Sequence, residues 1–162
     1  MSKKTIWITG GSTGIGKALA IKFASKGWNV AISARRAELL NELSNSYENI
    51  SSFPLDVTDK EKCKEVFNEI KNKYENIDIC FFSTGTWDPK KEKDIDVEQM
   101  EDVFKVNFFG TVNSIKAVEQ YFRDKKNGII TIVSSIAGYR GLPNSTGYGL
   151  SLIHISEPTR LR

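Results

Sequence analysis

The chain has 162 residues, enough for one domain with a real core and short for two. Hydrophobic residues make up 40% and charged residues 27%, an ordinary soluble balance, and the net charge of +3 is spread through Lys/Glu mixtures with no basic stripe. That pattern argues against nucleic-acid binding, no apolar run reaches membrane-spanning length, and no signal-type segment follows Met1, so the expected location is cytoplasmic.

In chain order, strands alternate with helices. Residues 5–8 are a β-branched strand running into a glycine turn, and residues 15–26 read as a helix closed by Gly27, with Ile15, Ala18, Leu19 and Phe23 as its apolar stripe. A second strand at 30–33 precedes a helix at 37–46. A third strand, 50–55, ends at Asp56, after which Thr58 and Glu61 read as a capping box for a helix ending near Tyr74. Residues 77–82 form an apolar strand suited to burial on both faces. The polar loop 86–94 reads as solvated surface and not as a binding patch. Residues 97–123 form a long amphipathic helical stretch with a bend expected at 107–110, followed by a fifth strand at 129–133. This order predicts an α/β fold of βαβ units with right-handed crossovers and a parallel sheet. Cys63 and Cys80 have no metal or redox spacing and read as buried thiols, so no metal site is expected.

The turn Thr9-Gly10-Gly11-Ser12-Thr13-Gly14-Ile15-Gly16 sits between a strand and a helix, the context in which a glycine turn binds a dinucleotide pyrophosphate. Glycine lets backbone approach the phosphates, and the helix N-terminal N–H groups and dipole hold the anion. Gly10, Ser12, Thr13, Gly14, Ile15 and Gly16 are the expected contacts; a plain tight turn is the alternative. The second strand ends Ser33-Ala34-Arg35-Arg36, without the carboxylate that binds ribose hydroxyls. Guanidinium groups at Arg35 and Arg36 suit a 2′-phosphate, which favours NADP(H) over NAD(H). The alternative is that both arginines simply open the next helix in solvent.

Three more residues complete a pattern. Asn107 stands in Val106-Asn107-Phe108-Phe109-Gly110-Thr111, Ser135 in Val133-Ser134-Ser135-Ile136-Ala137-Gly138, and Tyr148 follows Ser135 by thirteen positions. With the T-G-x-x-x-G-x-G turn, these resemble the short-chain dehydrogenase/reductase family, in its compact subgroup, over residues 4–149. The resemblance implies a Rossmann-type doubly wound parallel sheet in a three-layer αβα arrangement, here ending after the fifth strand. It also implies that Tyr148 is the general acid/base, that Ser135 hydrogen-bonds the same substrate oxygen and that Asn107 holds a water in the proton relay. Asp56 would contact the adenine, with Val57 beside it. Taken singly, Asn107 could satisfy a helix bend, Ser135 could cap a turn and Tyr148 could be a surface aromatic.

Two departures from the family pattern stand out. Where it usually reads N-A-G the chain has Ser83-Thr84-Gly85; Gly85 keeps the close approach to the cofactor, while the shorter Ser83 predicts weaker bracing across the sheet. The family's Y-x-x-x-K motif places lysine at position 152, which is Leu152. Lowering a tyrosine pKa from about 10 to near 7 takes about 4 kcal/mol, which leucine cannot supply. The residues after Gly149, with Pro158 among them, lack helical periodicity and read as translated sequencing-adapter DNA. The expectation is therefore a Rossmann domain over 1–149 and a non-native or disordered tail over 150–162, with the fifth strand left as a sheet edge, one face uncovered and poor solubility. His154, the only histidine, lies in that tail and is assigned no role.

The function expected is NADP(H)-dependent interconversion of an alcohol and a carbonyl on a small-molecule substrate, with this chain the cofactor-binding part and inactive as given. The full-length protein would be a homo-oligomer, as the family implies. A non-catalytic nucleotide-binding module for sensing or interaction is the alternative.

Overall fold

The computed structural model describes residues 3–88 and 95–156. Its centre is β1 (Thr5–Thr9), whose five residues are all buried. β1 lies between β2 (Asn29–Ser33) and β4 (Ile79–Phe82), while β3 (Ile50–Ser52) and β5 (Ile129–Ile132) flank them, giving a five-stranded sheet of order β3-β2-β1-β4-β5. Every pairing is parallel, as Ile6 opposite both Val30 and Ile79 illustrates. The connecting helices are α1 (Gly14–Ser25), α2 (Ala37–Ser46), α3 (Lys60–Lys73), α4 (Val97–Phe104), α5 (Gly110–Lys125) and α6 (Thr146–Ser156). The chain steps outward from β1 to β3, then returns to β4 on the other side of β1. That reversal opens a crevice at the carboxyl ends of β1 and β4, the place where α/β sheets bind ligands.

Side-chain alternation divides the core between the two sheet faces. Trp7, Ala31, Cys80 and Phe82 pack with Cys63, Val66, Phe67 and Ile70 of α3 and with Val118 of α5. Trp7 stacks on Phe67 at 5.6 Å and meets Phe82 edge-on. On the other face Ile6, Ile8, Val30 and Ile32 pack with Ala20 and Ala24 of α1 and Leu40 and Leu43 of α2. Both cysteines are buried, and burial pushes the Cys63 thiol up to about 11 and the Cys80 thiol higher still.

Several expectations shift in detail. β3 stops at Ser52, yet Phe53 donates to the Ile32 carbonyl and Leu55 to that of Ala34, so the chain follows β2 to Asp56 without the regular ladder. The N-cap of α3 is Asp59, which accepts from the Lys62 N–H at 2.9 Å; Thr58 is instead drawn back to the Asp56 carboxylate by two hydrogen bonds. The expected bend in the long helix is a single π-turn, Lys105–Phe109, between α4 and α5. β5 is the edge strand, and Ile129 is 56% exposed on the side that α1 and α2 cover at the other end of the sheet.

The largest difference lies after Gly149. The fold does not end there: α6 runs to Ser156, with Ser151 and Leu152 buried. Pro158 lies outside the described residues. α6 packs on α4, on the π-turn and on the short 3₁₀ turn Ile136–Gly138, and tertiary packing sustains a helix that has little amphipathic pattern. Residues 157–162 of the expected tail and 89–94 of the expected surface loop lie outside the described residues.

Candidate cofactor and active site

The glycine turn links the end of β1 to the start of α1. Gly10 takes φ of +71°, and a Cβ on it would meet the Ser83 carbonyl oxygen at 2.8 Å. A Cβ on Gly16 would run into the Gly10 carbonyl oxygen. These two positions need glycine for backbone conformation and close approach. At the helix start Thr13 is the N-cap residue, but its side chain caps nothing, so the first-turn N–H groups keep their positive end open.

This uncapped helix end opens on a cleft of about 630 Å³. All the cofactor-contact residues expected from the sequence line it: Gly10, Ser12, Thr13, Gly14, Ile15 and Gly16 from the turn, Arg35 and Arg36 after β2, Asp56 and Val57 after β3, and Ser83 and Gly85 after β4. Both arginines are exposed, and the Arg36 guanidinium reaches the Thr13 hydroxyl at 3.5 Å, which ties the β2 end of the cleft to the glycine turn. One oxygen of Asp56, Oδ1, accepts from both Thr58 groups. Val57 is buried against Gly110, where a Cβ would stand 2.5 Å from Val57 Cγ2. Ser83 does brace the sheet: its hydroxyl donates to the Thr9 carbonyl at 2.7 Å, so the shorter side chain still spans to β1. Ala34, Leu55, Thr84 and Val106 also line the cleft and were not singled out from sequence; each neighbours a residue that was.

The cleft continues into a recess of about 230 Å³, sharing Ile15, Ser83, Thr84 and Gly85 with it. Asn107 and Tyr148 meet in its wall, drawn from positions 41 residues apart by the packing of α6 on the π-turn. Asn107 is buried, and its side chain takes both backbone groups of Thr86: Oδ1 accepts from the N–H at 2.7 Å and Nδ2 donates to the carbonyl at 3.0 Å. Nδ2 also donates to Ser151 Oγ at 3.2 Å. Ser134 lines the recess, whereas Ser135 is the N-cap of the 3₁₀ turn, accepting from the Ala137 N–H at 3.2 Å. The capping alternative for Ser135 is thus realised, and that bond leaves the hydroxyl proton uncommitted. Leu152 is buried in the wall one turn beyond Tyr148.

The loop after β4 is not mere solvated surface, as its polarity suggested. Thr86 and Trp87 line the recess, and Trp87 stacks on Tyr148 with ring centroids 5.1 Å apart and planes at 18°. Thr86 is captured by Asn107, a partner 21 residues away that polarity counting cannot register. The signal in the sequence was a tryptophan two positions after Gly85, in an otherwise polar stretch. Thr84 adds a further feature: its hydroxyl is buried with no partner among the described residues, at the junction of cleft and recess.

The geometry has a counterpart in known proteins: the family model described as short chain dehydrogenase matches residues 4–153. The chain belongs to the short-chain dehydrogenase family. It is 33% identical to an uncharacterised oxidoreductase of Listeria monocytogenes over 154 residues, and 30% identical to mouse dehydrogenase/reductase SDR family member 7 over 160. These alignments take in 92% and 91% of the chain but 62% and 46% of the relatives. Among solved structures, ElxO with NADP bound superposes at a TM-score of 0.85 and 31% identity, covering 94% of the chain and 64% of ElxO. Serine dehydrogenase from Escherichia coli superposes at 0.85 with 25% identity, covering 93% of the chain and 71% of the enzyme. The chain spans less than two thirds of the length of the Listeria and mouse relatives. The Rossmann-type sheet that the sequence implied is the fold of these enzymes.

Proposed function

We propose that the chain is the cofactor-binding and partial catalytic portion of an NADP(H)-dependent oxidoreductase that interconverts an alcohol and a carbonyl. The observation that carries this reading is the single continuous cleft joining the uncapped α1 N-terminus, the two arginines after β2 and the recess holding Asn107 and Tyr148. The fit to a dinucleotide is supported by the glycine cradle at Gly10 and Gly16, which side chains would fill, and by the unpartnered Thr84 hydroxyl at its inner end. The NADP bound to ElxO is consistent with the same choice here.

In this reading the first-turn N–H groups of α1 hold the pyrophosphate, and Arg35 with Arg36 hold the 2′-phosphate. Asp56 and Val57 bound the adenine side, and Ser83 and Gly85 the inner side. Bound NADP(H) supplies or accepts the hydride. The Ser135 hydroxyl donates to the substrate oxygen, and Tyr148 exchanges the proton with that oxygen. Asn107 fixes the loop bearing Trp87 and orders the relay. The full-length protein acts as a cytoplasmic homo-oligomer on a small carbonyl or alcohol, and the chain as given turns over negligibly.

Leu152, if native, favours a second reading. A buried leucine where the family carries its lysine suits a nucleotide-binding module without chemistry. NADPH fluorescence titration, followed by carbonyl turnover in the protein extended to the length of its relatives, separates the two. Binding with turnover supports the oxidoreductase; binding without turnover supports the module; absence of binding overturns both.

A further inference from the structure

Asn127 is the one asparagine of the chain that is followed by glycine. It stands in the connection from α5 to β5, directly after Lys126, which ends the helix at a left-handed φ of +53°. Asn127 and Gly128 are both exposed. Among the described residues no hydrogen bond reaches the Asn127 side chain or the Gly128 N–H. Backbone bonds close in on either side: Lys126 donates to the Phe122 carbonyl and Ile129 to that of Asp78, each at 3.0 Å. The pair is therefore uncommitted between two fixed points.

Other asparagines lack this combination. Asn45 and Asn113 precede serines inside α2 and α5, where the following N–H belongs to the helix, and Asn113 spends its amide on the Val57 carbonyl. Asn144 precedes Ser145, which is buried. Glycine after asparagine matters because it lacks the Cβ that would hinder its own nitrogen from approaching the side-chain amide carbon. The fold itself demands that glycine. Gly128 has φ of +132°, and a Cβ on it would run into the Phe122 ring and stand 3.2 Å from the Asp78 carbonyl oxygen. The packing that seats the start of β5 thus excludes the side chains that would protect Asn127.

We propose that Asn127 is a site of self-modification, converting to aspartate and isoaspartate through a cyclic imide. The Gly128 nitrogen gives its proton to solvent base and bonds to Asn127 Cγ; the Cγ–Nδ2 bond breaks, and the amide takes up a proton and leaves as ammonia. Water then opens the imide at either carbonyl, so the net change is one water consumed and one ammonia released, with no oxidation or reduction. Opening at the side-chain carbonyl leaves aspartate in a normal backbone. Opening at the main-chain carbonyl leaves isoaspartate, which adds a methylene to the main chain between Lys126 and Ile129. β5 is an edge strand with a neighbour on one side only, and it leads straight to Ser134 and Ser135. The added length therefore loosens the start of the strand that positions those serines. None of this depends on the cofactor reading.

The test incubates the folded full chain in heavy-oxygen water at neutral and at mildly alkaline pH, with a urea-unfolded sample alongside. Peptide mapping with fragmentation that separates isoaspartate from aspartate reads each asparagine. Residue 127 of the folded chain is expected to convert at least about tenfold faster than any other described asparagine. The rate should rise with pH, because the attacking nitrogen must lose its proton, and both products should carry heavy oxygen. Asn127→Gln should abolish the signal. The isoaspartate fraction, separated from the parent, is expected to unfold at lower urea than Asn127→Asp, which carries the same charge on a normal backbone. The proposal is overturned if residue 127 of the folded chain stays intact, if it converts more than about tenfold slower than in urea, or if another asparagine converts faster. Aspartate without isoaspartate would overturn the imide route, and equal urea midpoints for the isoaspartate form and Asn127→Asp would overturn its effect on β5.

Discussion

Leu152 lies one helical turn beyond Tyr148 on α6, and both side chains line the same recess. The family places an ammonium group at this point. In the reading proposed above, the leucine leaves the neighbouring tyrosine without a charge to assist its proton transfer.

Leu152→Lys is therefore expected to raise carbonyl reduction by NADPH at neutral pH. A gain of about 10²-fold, the lower end of what a positioned acid–base system contributes, is expected over the parent chain. Stopped-flow or steady-state loss of NADPH absorbance reads it. Unchanged turnover in a variant that still binds NADPH would place the defect elsewhere in the recess.

The contact between Gly16 and Gly10 predicts a second effect. Gly16→Ala forces a methyl group into the Gly10 carbonyl, in the backbone that carries the nucleotide-binding turn. The expected cost is about 1–3 kcal/mol in thermal or urea unfolding, with NADPH affinity lost or sharply reduced. Gly14→Ala gives the contrast: its Cβ would meet open space, so only the left-handed φ of +54° opposes it. Equal melting points and equal affinities for Gly16→Ala and the parent would contradict the close packing.

Cys63 gives a prediction about pH. Burial raises its thiol from 9.0 to about 11, so the folded chain keeps a proton that the unfolded chain has released. Its contribution to stability is present below pH 9 and is lost as pH rises toward 11. Urea unfolding of the parent is expected to weaken across that window. Cys63→Ala should show a shallower slope over the same interval, leaving the part contributed by Cys80, Tyr74 and other groups. Identical slopes would show that Cys63 does not titrate differently in the two states.

Much of this architecture was written locally in the chain. Residues 37–46 form α2 as expected, because a short amphipathic run with Leu40 and Leu43 on one face is enough to define it. The β-branched and aromatic runs located all five strands, and the glycine turn stood out because its conformational needs are local. What the sequence hid depends on which of several competent partners captures a side chain, and in most cases that partner is distant. Thr58 and Asp59 are both competent caps, and the choice between them turned on Asp56 capturing Thr58. Trp87 looked like part of a solvated loop because its partners, Tyr148 and the Asn144 carbonyl, are 61 and 57 residues away. α6 escaped notice because Thr146, Gly147 and Gly149 are poor helix formers, and packing on α4 and the π-turn holds them in place.

Arg35 and Arg36, which line one cleft with the glycine turn, are the most direct point at which to test for an NADP(H) site. Affinity for NADPH and for NADH is to be measured by fluorescence titration in the parent chain and in Arg35→Ala/Arg36→Ala. The parent is expected to prefer NADPH by about tenfold or more, the worth of charge-assisted bonds to the 2′-phosphate. The double variant should lose that preference while its NADH affinity stays near the parent's. A parent that binds NADH as tightly as NADPH, or a double variant that keeps the preference, would contradict the account.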